Sequence, residues 1–244
     1  MYLFYAPDIE TSLTLPEEES AHCVQVLRRT AGDRIEVTDG AGKLFHCVIT
    51  NPHRKHCELQ IERVEQPEAL HEGYIHLCVA PTKNIDRLEW CIEKCVEMGV
   101  DEITPILCDH SERKTINYER LQKILVSAAK QSLKTRFPIL HPLTKMTDLR
   151  IDGDRFIAHC MTEEEQPSLQ AAYRSSDTKH ALQNEVVRGH KTTILIGAEG
   201  DFSPAEINWA LTNGYVPVSL GAARLRTETA ALVACHTAVL INEF

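Results

Sequence analysis

Thr192-Thr-Ile-Leu-Ile-Gly-Ala-Glu-Gly-Asp-Phe-Ser-Pro-Ala-Glu-Ile207, with Val218-Ser-Leu-Gly-Ala-Ala-Arg-Leu-Arg-Thr-Glu-Thr-Ala230 close behind it, decides how this chain is read. The run Thr193 to Gly197 is rich in β-branched residues and stops at a Gly-x-x-Gly turn, which predicts a strand ending in glycines. A helix start follows at once. Ser203 stands as N-cap, Pro204 takes the first helical position and Glu206 completes a Ser-x-x-Glu capping box. The second run repeats the plan, with a strand over Tyr215 to Leu220, a turn at Gly221 and a helix from about Glu228 to the C-terminus. Such strands bring bare N–H and C=O groups to the carboxyl edge of a sheet, where open α/β sheets bind their ligands. Two turns of this kind predict one pocket built mostly of backbone.

Upstream of these turns, strand and helix patterns alternate. Ile75 to Ala80 reads as a strand ended by Pro81, and Ile85, Leu88, Cys91, Ile92, Cys95 and Val96 form one helical stripe closed by Gly99. Asp101 to Leu107 is a strand interrupted by Pro105. Asn117 caps an amphipathic helix through Leu121, Ile124, Leu125, Ala128 and Ala129, and Phe156 to His159 is a third strand. Residues 161–190 are polar and read as a surface excursion with one short helix. The alternation predicts a mostly parallel α/β sheet covered on both faces.

Residues 1 to about 70 follow another plan. Tyr2 to Ala6 is strand-like, and Pro16-Glu-Glu-Glu opens a helix with His22, Val24 and Leu27 on one face. Arg34 to Thr38, the Asp39-Gly40 turn and Leu44 to Ile49 make a hairpin, and Cys57 to Val64 alternates again. Strands so spaced suggest a small barrel. The polar stretch Glu65 to Gly73 places a boundary near residue 70, giving domains 1–70 and 71–244.

Composition narrows the function. With 43% hydrophobic and 25% charged residues, the 244-residue chain has an ordinary globular balance. It shows neither an apolar run of membrane length nor an export signal at Met1, so a cytoplasmic location is expected. The nine cysteines include no Cys-x-x-Cys pair and read as buried small hydrophobes, with no metal site. A net charge of −9 argues against a nucleic-acid partner, but basic clusters at Arg28-Arg29, Arg113-Lys114 and Lys130 to Arg136 can act locally. The first α/β strand ends Val79-Ala-Pro-Thr-Lys, without the glycine fingerprint of a dinucleotide site, and no P-loop is present. Glycines at the late strands alone suit a cofactor read by backbone.

Ile-Gly-Ala-Glu-Gly followed by Leu-Gly-x-x-Arg-Leu-Arg-Thr-Glu-Thr-Ala resembles the SPOUT methyltransferases, and most of all the RsmE family, which methylates N3 of a uridine in 16S ribosomal RNA. Weaker matches extend the resemblance over nearly the whole chain: His22-x-x-x-Val26-Leu27-Arg28, Lys83-x-x-Asp86-Arg87, Lys94-x-x-Glu97-Met98-Gly99, Ser111-Glu112-Arg113 and Ala128-Ala-x-Gln131-Ser-x-Lys134. The resemblance implies a C-terminal SPOUT α/β domain with a deep trefoil knot, a PUA-like N-terminal barrel, S-adenosylmethionine as cofactor, and a homodimer acting on 16S ribosomal RNA or the small ribosomal subunit. It implies a cofactor site of His159, Ile196, Gly197, Glu199, Gly200, Leu220, Gly221, Leu225, Thr227 and Thr229. Arg226 is the candidate for stabilising the uridine anion, and Glu199 or Glu228 for accepting a hydrogen bond or the proton, although a first-turn acid such as Glu228 also simply favours the helix dipole. Arg28, Arg29, Arg87, Arg113, Lys134 and Arg136 are the candidate RNA contacts. The family's usual Ile-Gly-Pro-Glu-Gly-Gly is here Ile-Gly-Ala-Glu-Gly-Asp, so Asp201 stands where a glycine is usual. Asp is among the residues best tolerated at positive φ, and a small effect on the loop is expected. Three alternatives stay open: a SPOUT enzyme with another target such as a ribose 2′-hydroxyl, an RNA-binding protein without catalysis, and a nucleotide-dependent oxidoreductase.

Overall fold

The computed structural model describes residues 2–160, 166–182 and 190–243, and the statements below concern those residues. Packing divides the chain into two units, residues 1–69 with 126–137 and residues 70–125 with 138–244.

In the first unit, β1 (Leu3–Tyr5), α1 (Ile9–Ser12) and α2 (Glu17–Ala21) precede β2 (Arg34–Thr38), β3 (Leu44–Asn51) and β4 (Glu58–Glu65). Alternation does the sorting: Ile35, Val37, Phe45, Cys47 and Ile49 point inward and join Phe4, Ile9 and Leu15 in one core. The strands expected to form a small barrel make a four-stranded sheet in the order β1-β2-β3-β4, with β1 parallel to β2. Its far edge is partly covered because Leu59 N–H donates to Leu13 O at 2.8 Å and Leu15 N–H donates to Cys57 O at 2.9 Å. The expected helix beyond Pro16 is also modified. After Ala21 it widens into a π-turn over His22–Val26, so Cys23 is buried while the His22 ring stacks on Tyr2 at 4.6 Å.

The second unit holds β5 (Tyr74–Val79), α3 (Ile85–Met98), β6 (Glu102–Leu107), α4 (Tyr118–Gln131), β7 (Ile139–Leu140), β8 (Thr144–Lys145), β9 (Asp154–Ala158), α5 (Leu169–Leu182), β10 (Lys191–Ile196), α6 (Pro204–Thr212), β11 (Val216–Val218) and α7 (Thr227–Glu243). From Val126 onward, α4 clusters with the first unit, which the boundary near residue 70 did not anticipate. Among the described residues the sheet runs β11-β9-β10-β5-β6-β7, with β8 also on β6 and all these pairings parallel. Central strands are buried on both faces, as the near-continuous Ile75, Leu77, Cys78, Val79 run requires. Pro105 falls between the β6–β7 and β6–β8 ladders, where β6 changes partner. Gly99 closes α3 in the left-handed region, as expected. The short helix expected within 161–190 is the 14-residue α5; the rest of that excursion falls partly outside the described residues. Eight cysteines are buried as expected, and Cys160 is exposed. No helix among the described residues is long and apolar enough to cross a membrane.

A polar network braces the amino-terminal half of the sheet. His76, 2% exposed, meets Thr104 Oγ1 at 2.8 Å, Thr193 Oγ1 at 3.3 Å and the Cys78 thiol at 3.4 Å. Glu102 accepts from Lys191 Nζ at 2.6 Å and from His141 Nε2 at 2.7 Å, and lies 3.7 Å from His76. Burial drives the His76 pKa down to about 4, against the opposing pull of Glu102. Between about pH 6.5 and 4 the unfolded chain therefore binds a proton that the folded chain refuses, and stability is lost as pH falls through that window, by at most ~3 kcal/mol from this group. Urea midpoints measured across the window should show the slope in the wild type and a shallower one in His76→Gln. Equal slopes would assign the effect elsewhere.

Candidate active site

The predicted pocket depends on strands ending level with one another. Val79 of β5 and Ala158 of β9 both pair with Ile196 of β10, and Ala158 also pairs with Val218 of β11. Four adjacent parallel strands thus release their chains at one edge. The first late turn is built as its sequence spells it: β10 stops at Ile196, and Ser203 caps α6 with both arms of the capping box present. The second strand is shorter than expected, Val216–Val218 in place of Tyr215–Leu220. Tyr215 packs into the core, while Ser219 leaves to exchange hydrogen bonds with Pro167 and Leu169 at 2.9 and 3.1 Å.

The loop from Gly197 to Ser203 is a hub. Glu199 accepts from the Lys83 amide at 2.9 Å, joining the loop after β5. Glu206 accepts from the Asp109 amide at 2.8 Å, and the Ser203 hydroxyl donates to Asp109 at 2.6 Å, joining the loop after β6. The His110 ring nitrogen Nδ1 reaches Gly200 O at 2.9 Å and Asp201 O at 3.1 Å. Asp201 adopts φ 61 and accepts from the Cys160 amide at 2.8 Å, joining the loop after β9. Sequence reading marked Asp201 only as a departure and missed Asp109 and His110 altogether. The Asp109-His110-Ser111 stretch after a strand was the available signal.

The other candidate cofactor residues lie in the chain beyond β9 and β11, which end at that edge. His159 follows β9 by one residue, half-buried; burial lowers its pKa, with Asp201 opposing. A neutral imidazole there does not repel a cationic ligand. With its amide turned to suit its neighbours, Gln166 donates to His159 O at 3.2 Å and Val218 O at 3.1 Å and accepts from His159 Nε2 at 3.2 Å. Leu220 and Leu225 are half-buried along the second turn, and Gly221 takes φ 117 with nothing within 4 Å of where a Cβ would stand. Thr227 and Glu228 are buried in the first turn of α7, whereas Arg226 and Thr229 are exposed. Arg87 lies 3.8 Å from one Glu228 oxygen, and the other oxygen, Oε2, is buried without a hydrogen-bond partner.

These features fit a neutral nucleoside bearing a cationic sulfonium. Gly197 and Gly200 are packed so that a Cβ would meet the Phe202 ring at 3.2 Å and His110 Cβ at 3.0 Å, which leaves backbone groups to line the edge. The orphan Glu228 oxygen calls for a donor. Among the described residues no group of His, Cys, Asp and Glu is arranged to hold a metal ion.

The candidate RNA contacts divide between the units. In the first, Arg28 (φ 55), Arg29 and Arg136 are exposed and Lys134 is half-buried. Arg29 lines a cavity of ≈ 600 Å³ with Tyr2, Arg34 and Arg63. In the second, Arg87 faces Glu228, and Arg113 spends two donors on the Thr82 and Lys83 carbonyls at 3.2 and 2.9 Å. Arg113 therefore also fixes the loop after β5.

Comparison with known proteins gives a consistent picture. A family model described as an RNA methyltransferase domain matches residues 70–239, and one described as an RNA methyltransferase PUA domain matches residues 15–62. Ribosomal RNA small subunit methyltransferase E of Synechocystis is 29% identical over 95% of this chain and 75% of its own. The crystal structure of a probable rRNA-methyltransferase from Porphyromonas gingivalis is 41% identical, with a TM-score of 0.86, over 99% of this chain and 98% of that one. A Neisseria gonorrhoeae ribosomal RNA small subunit methyltransferase E bound to S-adenosyl methionine shares the fold, with 23% identity and a TM-score of 0.78 over 99% of this chain and 98% of that one.

The hub makes its own prediction. Amide hydrogen exchange at Lys83 should quicken roughly tenfold in Glu199→Ala, which deletes the acceptor, and stay near wild type in Glu199→Gln, which keeps it. Unchanged exchange in the alanine variant would show that the bond does not hold the loop.

Proposed function

This chain belongs to the RNA methyltransferase family, and on that premise we propose that it transfers a methyl group from S-adenosylmethionine to N3 of a uridine in the 16S ribosomal RNA of the small subunit. The observation that carries the reading is the convergence of the loops after β5, β9, β10 and β11 at one edge, with glycines in the loops after β10 and β11 and a buried carboxylate, Glu228, at the start of the helix that follows.

The cofactor supplies an electrophilic methyl on a sulfonium. Binding falls to the chain: Ile196, Gly197, Glu199 and Gly200 from the first turn, Leu220, Gly221 and Leu225 from the second, Thr227 and Thr229 from α7, and His159 from the β9 loop. The uridine imide would lose its N3 proton as the N3–C bond forms and the methyl's S–C bond breaks, with the neutral thioether S-adenosylhomocysteine leaving. Glu228 suits that task because it is buried and has one oxygen without a hydrogen-bond partner, with Arg87 3.8 Å from the other. Arg226, exposed and one residue ahead of α7, would stabilise the negative charge that develops on the uridine carbonyls.

The division of labour follows the domains: a PUA-like 1–70 for RNA and 71–244 for the cofactor. Arg28, Arg29, Lys134 and Arg136 offer cations in the first unit, and Arg87 and Arg113 in the second. A homodimer is supported by α7, whose Thr229, Val233, His236 and Leu240 form an incompletely covered stripe. The trefoil knot is supported by the path of α7, which leaves the edge strand β11 yet packs on α3, β5 and β10. Such an enzyme belongs in the cytoplasm with its ribosomal substrate.

Mass mapping of 16S ribosomal RNA from cells with and without the gene tests the reading, and retention of every uridine methyl in the deletion strain would refute it. In vitro, Arg226→Ala should lower kcat by about 100-fold or more while cofactor affinity stays within about threefold. Equal losses in both would move Arg226 into the cofactor site.

A further inference from the structure

Asp201 does work that nothing in the fold's plan requires of it. Its backbone is left-handed, φ 61, where a glycine is the easy choice. Its carboxylate is fully used: Oδ2 accepts from Cys160 N–H at 2.8 Å and Oδ1 from Phe202 N–H at 2.8 Å. Its own N–H donates to Ala198 O at 2.9 Å, closing the turn that carries Glu199 and Gly200.

The Cys160 bond has a geometric consequence. The Cys160 N–H and the His159 C=O belong to one planar peptide group, so holding one fixes the other. Asp201 grips the N–H and Gln166 grips the carbonyl, at 2.8 and 3.2 Å. The peptide is clamped from both ends, and Gln166 also meets the His159 ring at Nε2. Meanwhile the bond to Phe202 N–H, directly before the N-cap of α6, pins the left-handed turn to the helix start. One carboxylate thereby sets the relative placement of the β9 loop and the β10 loop, both of which border the cofactor edge.

We propose that Asp201 is a positioning residue for S-adenosylmethionine: its carboxylate is a strut that holds the His159–Cys160 peptide against the glycine turn and so presets the cofactor cradle. The inference rests on the cofactor reading above. In a chain with glycine at this position the same turn would be reached by backbone freedom alone, and the two loops would be joined by nothing from this side chain. Here the ordering is done before the ligand arrives, which favours affinity over adaptability.

The test uses the full chain with Asp201→Gly and Asp201→Asn, titrated calorimetrically with S-adenosylhomocysteine. Glycine keeps the left-handed turn and removes both bonds; asparagine tolerates the turn and keeps one acceptor oxygen. Cofactor-product affinity should fall roughly tenfold in Asp201→Gly and by an intermediate factor in Asp201→Asn, with exchange of the Cys160 amide accelerated in the same order. In turnover, the KM for S-adenosylmethionine should rise with kcat within about twofold. Thermal unfolding of both variants separates a loosened site from a lost fold, since glycine relieves the left-handed constraint. Binding within twofold of wild type in Asp201→Gly, or unaltered Cys160 exchange, overturns the strut. Failure of the wild type to bind sinks the cofactor reading and this inference with it, whereas wild-type binding with unaffected variants sinks this inference alone.

Discussion

A parallel sheet releases all its strands at one edge, and the backbone groups left there must find partners or a ligand. In this chain the register of β5, β9, β10 and β11 brings four releases level. The Gly197–Ser203 loop and the start of α6 then reach neighbouring loops with side-chain acceptors: Glu199 takes the Lys83 amide after β5, Asp201 the Cys160 amide after β9, and Glu206 of α6 the Asp109 amide after β6. Each is a carboxylate receiving a backbone N–H, the stronger kind of hydrogen bond. Two acids on this loop and one in the first turn of α6 therefore tie down the loops after β5, β9 and β6.

Much of this was legible in the sequence because the signals were local. Ser203, Pro204 and Glu206 spell a helix start whatever surrounds them, and α6 begins there with both capping arms formed. The stripe Leu88, Cys91, Ile92, Cys95, Val96 is buried as its spacing demands. What failed was set by distant partners. The helix after Pro16 widens at His22 because its ring goes to Tyr2 and Cys23 to the core, a choice that periodicity does not encode. Strand β11 stops at Val218 because Ser219 bonds to residues some fifty positions earlier. Residues 126–137 cluster with the first unit through contacts such as Thr38 Oγ1 to Thr135 O at 2.9 Å, a pairing no boundary rule can see.

The candidate site shows the same division. Its glycines and its Arg-x-Arg-x-Glu run declared themselves by type, while the supporting groups did not. Asp109, His110 and Gln166 are common residues at loop positions, and only the fold brings them to the hub. Arg113 was read as a free cation for RNA, yet two of its donors are committed to Thr82 and Lys83 carbonyls. A guanidinium with five donors can do both, but the structural duty comes first.

Charge links the two halves of the argument. A net charge of −9 is awkward for a protein that handles RNA, and less so for one that must first capture a sulfonium cation. Glu199 and Glu228 belong to the proposed cofactor site in the second unit, with Arg87 3.8 Å from Glu228, whereas Arg28, Arg29, Arg34, Arg63 and Arg136 lie in the first unit. Acids that tie backbone amides at the edge also lower the potential seen by a positively charged ligand, so structural and electrostatic demands point the same way. RNA attraction is then a local matter for the arginine clusters, and the acidic remainder opposes it. Even the first unit's arginines are not equally available: Arg34 pairs with Glu62 at 3.0 Å and Arg63 with Glu65, so exposed Arg28, Arg29 and Arg136 are the cations that the proposed RNA contacts would use first.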